Sequence, residues 1–141
     1  MRPINKIIVH CTATPEGRAH TVKDVDTWHR QRGFSGIGYH YLIGINGEVW
    51  EGRPIEKAGA HTEGHNATSI GIAYVGGMDK EMKNPKDTRT PEQKDSLARL
   101  LKELVIKFPS AEIYGHRDFA KKACPSFDAR SEYKIIWTQK I

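Results

Sequence analysis

Residues 5–11 read NKIIVHC, a short β-branched apolar run that predicts a strand buried on both faces. Working outward, Thr21 caps a helix in TVKDVDTWHRQRG: Asp24 stands three residues on, Val22, Val25 and Trp28 share one face, and Gly33 closes it. GYHYLIGINGEVWEGR then splits into two strand-like runs around Asn46-Gly47, a strong hairpin signal. PIEKAGAHTEGHNATS lacks any period and predicts a loop, after which SIGIAYVGG returns to a buried strand. The polar stretch MDKEMKNPKD predicts an exposed excursion.

Residues 90–108, TPEQKDSLARLLKELVIKF, predict the longest helix, with Thr90 as cap, Pro91 in the first turn and Gln93 completing a capping box. Leu97, Leu100, Leu101, Leu104, Val105 and Phe108 form its core-facing stripe, and Pro109 stops it. AEIYGH predicts one more short strand, and FDARSEYKIIWTQKI a final weak helix. Strands alternating with helices, plus one hairpin, make an α/β domain: a central mixed sheet of five or six strands flanked by helices. A length of 141 residues fits one such domain, residues 1–141, and needs no covalent staples.

Composition narrows the function classes. An apolar share of 38% and a charged share of 28%, without low-complexity tracts, read as globular. No apolar run approaches the roughly 20 residues of a membrane-spanning helix. The first residues carry too short an apolar stretch for a secretory signal, so the chain is expected to be cytoplasmic when made and to need another route outward. A net charge of +5 favours acidic partners, including an anionic wall polymer. The basic residues are scattered among acids without aromatic interleaving, so no nucleic-acid groove is expected. The expected state is a monomer that does not bind membranes.

Chemistry is concentrated in seven histidines and two cysteines. His20 and His29 read as packed or solvent-exposed. His40 follows Tyr39 on a strand, where only one of the pair faces a given side. His61 and His65 share the glycine-bearing loop, where substrate contact is open to either. His10 and His116 differ, because each stands where an apolar run meets a polar loop. Cys124 follows His116 by eight residues, so the intervening loop can present imidazole and thiolate to one metal ion. Two imidazoles and a thiolate suit zinc, with a fourth position left for water. Spacing alone leaves a buried cysteine and two hydrogen-bonded histidines as the competing reading. Alternation puts His10 and Cys11 on opposite faces of their strand. A Cys11–Cys124 disulfide is possible in principle, but free thiols or metal ligation suit a chain without an export signal better.

Five blocks in order, IIVHCTAT, WHRQRGFSGIGYHYLIGINGEVWEGR, GAHTEGHNATSIGIAYVGG, TPEQKDSLARLLKEL and GHRDFAKKACPSFD, resemble the zinc-dependent N-acetylmuramoyl-L-alanine amidases of type 2. That family includes small phage lysozymes and peptidoglycan recognition proteins. The resemblance implies a zinc cleft at one sheet face, with His10, His116 and Cys124 as ligands and Tyr39 and Lys122 assisting at the reacting carbonyl. Zinc there would activate water against the amide between N-acetylmuramic acid and L-alanine in peptidoglycan. Lys122 would stabilise the developing oxyanion, and Tyr39 would orient the water or relay a proton to the leaving nitrogen. His61, Thr62 and Asn66 become candidates for holding the muramyl-peptide, and Arg53 for a bidentate contact to a stem-peptide carboxylate. Two other readings accompany it: a recognition module that binds wall fragments without cutting, and an amidase with a second role in polymerase inhibition.

Overall fold

A computed structural model describes residues 1–139; Lys140 and Ile141, the end of the expected last helix, lie outside the described residues. The elements follow the order β1 (Lys6–Cys11), β2 (Thr14–Pro15), α1 (Val22–Gln31), β3 (Tyr41–Ile43), β4 (Val49–Glu51), β5 (Ser69–Tyr74), β6 (Gly77–Met78), α2 (Pro91–Lys107), β7 (Glu112–Gly115), α3 (Ala129–Glu132) and α4 (Lys134–Gln139). Five strands form one mixed sheet in the order β4-β3-β5-β1-β7, and β2 and β6 pair separately. β1 runs parallel to both β5 and β7, β3 runs parallel to β5, and β4 closes an antiparallel hairpin on β3.

Local signals and tertiary structure agree at both long helices. Thr21 and Asp24 exchange cap bonds at the start of α1, and Thr90 and Gln93 do so at the start of α2, satisfying amide groups that a helix end would otherwise leave bare. The buried Gln93 side chain also donates to the carbonyls of Ile43 and Val75, which ties α2 to β3 and to the end of β5.

The two sheet faces are built differently. Ile7, Val9 and Cys11 of β1 and Ile70, Ile72 and Tyr74 of β5 pack under Leu97, Leu101, Leu104 and Val105 of α2. The opposite face is thinner: Leu42, Ala73 and Val75 meet Val25 of α1 and Ile37. On that face β5 alternates Ser69, Gly71 and Ala73, so little side-chain volume stands above the strand. His10 projects there, opposite Ala73 in the register. The large residues fill one face, and the small ones leave room on the other for rings.

Behind the site, Arg89 is almost fully buried. It pairs with Asp87 and Glu132, donates to the Tyr133 hydroxyl, and stacks 3.4 Å from the centre of the Phe127 ring. Phe127 lies three residues past Cys124, so this cluster anchors the far end of the loop that carries the thiol.

Candidate functional site

The site lies at the carboxyl ends of two neighbouring parallel strands, where open α/β sheets generally place their ligands. Val9 of β1 is in register with Gly115 of β7. The next residues, His10 and His116, therefore emerge side by side with ring centres 4.6 Å apart. The chain after His116 turns through a short 3-10 helix and returns, the Arg117 amide donating to the Cys124 carbonyl. This brings Cys124 Sγ to 3.8 Å from His10 Nδ1. One ligand atom from each of His10, His116 and Cys124 lies within 4.8 Å of the others, so the three residues together could hold a metal ion.

The two imidazoles are electrostatically set for a cation. Burial first, then the charges of neighbouring His61, His116 and Lys122, hold His10 well below the ordinary histidine range. Burial and Lys122 lower His116 in the same way. Both rings are thus neutral and free to ligate. Contact with the Cys11 side chain, followed by burial, pushes the Cys124 thiol up. A bound cation reverses that preference, because the ligand is the thiolate. The Cys11 amide N–H already donates to Cys124 Sγ at 3.2 Å, a bond that favours the anion.

Tyr39 packs on His10 with ring centres 5.2 Å apart. The residue before it is held by buried His29, whose Nδ1 accepts from the Gly38 amide at 2.8 Å; the expectation of a packed or exposed His29 resolves to packed. Burial raises the Tyr39 phenol far above its usual range, so the hydroxyl is a hydrogen-bond donor at neutral pH. Lys122 is exposed at the rim, where its ammonium acts on both His10 and His116.

The four residues nominated for substrate divide into two groups. His61 and Thr62 lie against the buried side of His10: His61 Nδ1 is 2.9 Å and Thr62 Oγ1 3.3 Å from His10 Nε2. Asn66 Oδ1 accepts from the amides of both His61 and Thr62, at 3.0 and 2.9 Å, and so holds their loop in shape. Arg53 is placed elsewhere. Its guanidinium donates to the carbonyls of Ile37, Ala58 and Gly36 and lines a separate hollow of about 250 Å³ with Asp26, Arg30 and Lys57.

Sequence reasoning did not single out Arg32. With Thr12, Val25, Trp28, His29 and Tyr39 it lines a hollow of about 70 Å³ against Tyr39. Its guanidinium stands 5.4 Å over the Phe34 ring and makes no hydrogen bond or ion pair among the described residues. His40 is a support of the loop: its Nδ1 accepts from the Gly71 amide and its Nε2 faces the Lys57 carbonyl at 2.8 Å.

The N-acetylmuramoyl-L-alanine amidase family model matches residues 1–127. The chain belongs to that family. It is 40% identical over 126 residues to the endolysin of Klebsiella phage KP32, covering 89% of this chain and 83% of the relative. Its fold superimposes on the amidase LysC from Clostridium intestinale URNW with a TM-score of 0.81 and 31% identity, covering 99% of this chain and 87% of that one. It also resembles the ectodomain complex of peptidoglycan recognition proteins LCa and LCx bound to tracheal cytotoxin, with a TM-score of 0.77, 31% identity, and coverage of 95% and 82%. The expected sheet is present, with five strands. The chain is a cell-wall hydrolase of the amidase class.

Proposed function

We propose that this amidase cuts the bond between N-acetylmuramic acid and L-alanine with zinc held by His10, His116 and Cys124. The observation that carries the proposal is the meeting of two neutral imidazoles and a thiol at one point, 4.8 Å or less apart. A tetrahedral zinc with ordinary bond lengths sets sulfur and nitrogen ligands about 3.5 Å apart, close to the 3.8 Å between Cys124 Sγ and His10 Nδ1. Zinc so placed would supply Lewis acidity towards the scissile carbonyl and hydroxide at neutral pH.

The remaining work falls to the chain. Tyr39, protonated and packed against His10, is suited to donate a hydrogen bond to oxygen as charge develops there, and unsuited to act as a base. Lys122 adds a positive charge at the rim, which favours the anionic transition state over the neutral substrate. Arg32, lining the hollow beside Tyr39, is a cation placed to meet a carboxylate. The lactyl carboxyl of the substrate is consumed in the scissile amide, so that carboxylate belongs to the stem peptide. The presence of Cys124 favours hydrolysis over recognition alone, since it completes a donor set that binding would not require.

The test is digestion of purified peptidoglycan. Peptides with a free N-terminal L-alanine should appear, chelation should stop their release, and added zinc should restore it. Intact peptidoglycan under conditions where the protein binds it would replace this reading with recognition.

A further inference from the structure

His10 is held from both ends. Nδ1 faces Cys124, while Nε2 points inward to His61 Nδ1 at 2.9 Å. A neutral imidazole carries one proton, so a ring that ligates through Nδ1 must carry it on Nε2. His61 Nδ1 is then the acceptor, with Thr62 Oγ1 at 3.3 Å the second group open to the same proton. A His61 ring that accepts at Nδ1 carries its own proton on Nε2, which stands 3.3 Å from Ser69 Oγ. The shorter contacts make one self-consistent arrangement, from His10 through His61 to Ser69.

The site around His61 is built for a ring. Gly71 lies under it: a Cβ there would stand 2.6 Å from His61 Cδ2, and one at Gly59 would stand 2.5 Å from the same atom. Ser69 is fully buried, so its hydroxyl is shielded from bulk solvent. Thr62 Oγ1, 2.9 Å from His61 Nδ1, closes the remaining side.

We infer that His61 is a positioning residue for the metal: it accepts the Nε2 proton of His10, selects the tautomer that leaves Nδ1 free, and holds the ring aimed at Cys124. This rests on the reading of His10 as a ligand, and it gives His61 a task other than direct contact with substrate. The outer hydrogen-bond partner of a ligating histidine is usually a carboxylate, a carbonyl or water. Here a neutral imidazole backed by a serine does the same work without placing a negative charge in the thin side of the core.

The experiment is zinc affinity, measured by competition with a chromophoric chelator on folded apoprotein. His61→Phe, which keeps a ring but loses the acceptor, should weaken zinc binding about 10–100-fold. His61→Asn, whose Oδ1 can take the place of Nδ1, should stay within a few-fold of the parent. Gly71→Ala, which crowds the ring, should behave like the Phe variant. Binding by His61→Phe within twofold of the parent overturns the inference. Nitrogen-15 spectra of the zinc-loaded parent supply a readout that needs no variant. They should show His10 protonated at Nε2 with a scalar coupling across the hydrogen bond to His61 Nδ1, and a protonated Nδ1 on His10 overturns it equally. Failure of the parent to bind zinc would instead defeat the metal reading on which the inference rests.

Discussion

The backbone amide of Cys11 donates to Cys124 Sγ at 3.2 Å, while the Cys11 side chain belongs to the same core cluster as Ile72 and Tyr74. Strand alternation explains the arrangement, since His10 and Cys11 must face opposite ways. The position reaches the sulfur through its main chain, and its thiol, which packs in the core, also touches Cys124.

This separates the two cysteines experimentally. Cys124→Ser should lower zinc affinity by more than the roughly 10–100-fold that loss of an outer hydrogen bond costs. Cys11→Ala should retain one zinc per chain and cost only ~1 kcal/mol of stability, the scale of a small core deletion. Metal analysis and a melting curve on both variants check the pair. Equal zinc loss in both would show that the Cys11 side chain takes part.

Tyr39→Phe keeps the ring against His10 and deletes only the hydroxyl. If that hydroxyl donates to developing charge, kcat should fall by about 10²–10³-fold, the loss typical of one oxyanion donor, with zinc content unchanged. Steady-state hydrolysis of a soluble muramyl-peptide measures it. A kcat equal to that of the parent would reduce Tyr39 to a packing role.

Much of the scaffold was legible because its signals are local. Two capping boxes, the Asn46-Gly47 turn and the apolar run of β1 each lie within a few residues, and each forms as expected. The metal-ligand candidates needed the family resemblance, since Cys124 meets His10 from 114 residues away. The arginines were harder to read. Arg53 binds backbone carbonyls, which every residue possesses, so no sequence pattern marks it as engaged. His61 and His40 each find one partner on β5, and one available clue was there: the alternation of Ser69, Gly71 and Ala73 announces a strand face with room for rings.

Acid should weaken the fold before the carboxylates protonate. Burial, helped by the Arg2 guanidinium, pushes His40 down to about 4, and burial with His40 nearby takes His61 to about 3. The unfolded chain takes up these protons near pH 6.5, while the folded chain resists them. Their contribution is therefore complete above about pH 6.5 and lost as pH falls towards 4, at roughly 3 kcal/mol for His40. Urea unfolding with a chelator present should give a lower midpoint at pH 5 than at pH 7.5. Equal midpoints would mean that these rings are protonated in the fold.

Arg32 and Arg53 should fail in different ways. The Arg53 guanidinium joins the Ile37, Gly36 and Ala58 carbonyls, so Arg53→Ala should cost about 2 kcal/mol of stability, the order of a charge-assisted hydrogen bond, whatever the substrate. Arg32 is exposed beside Tyr39 and makes no such bonds among the described residues, so Arg32→Ala should leave the melting temperature within a degree or two. Its effect should appear in KM, raised about tenfold for stem peptides with free carboxylates, with kcat held, the pattern of lost uniform binding. Substrates whose stem carboxylates are amidated should lose affinity for the parent and show no further change with the variant. If Arg32→Ala handles both substrates as the parent does, the carboxylate is bound by another group or not at all.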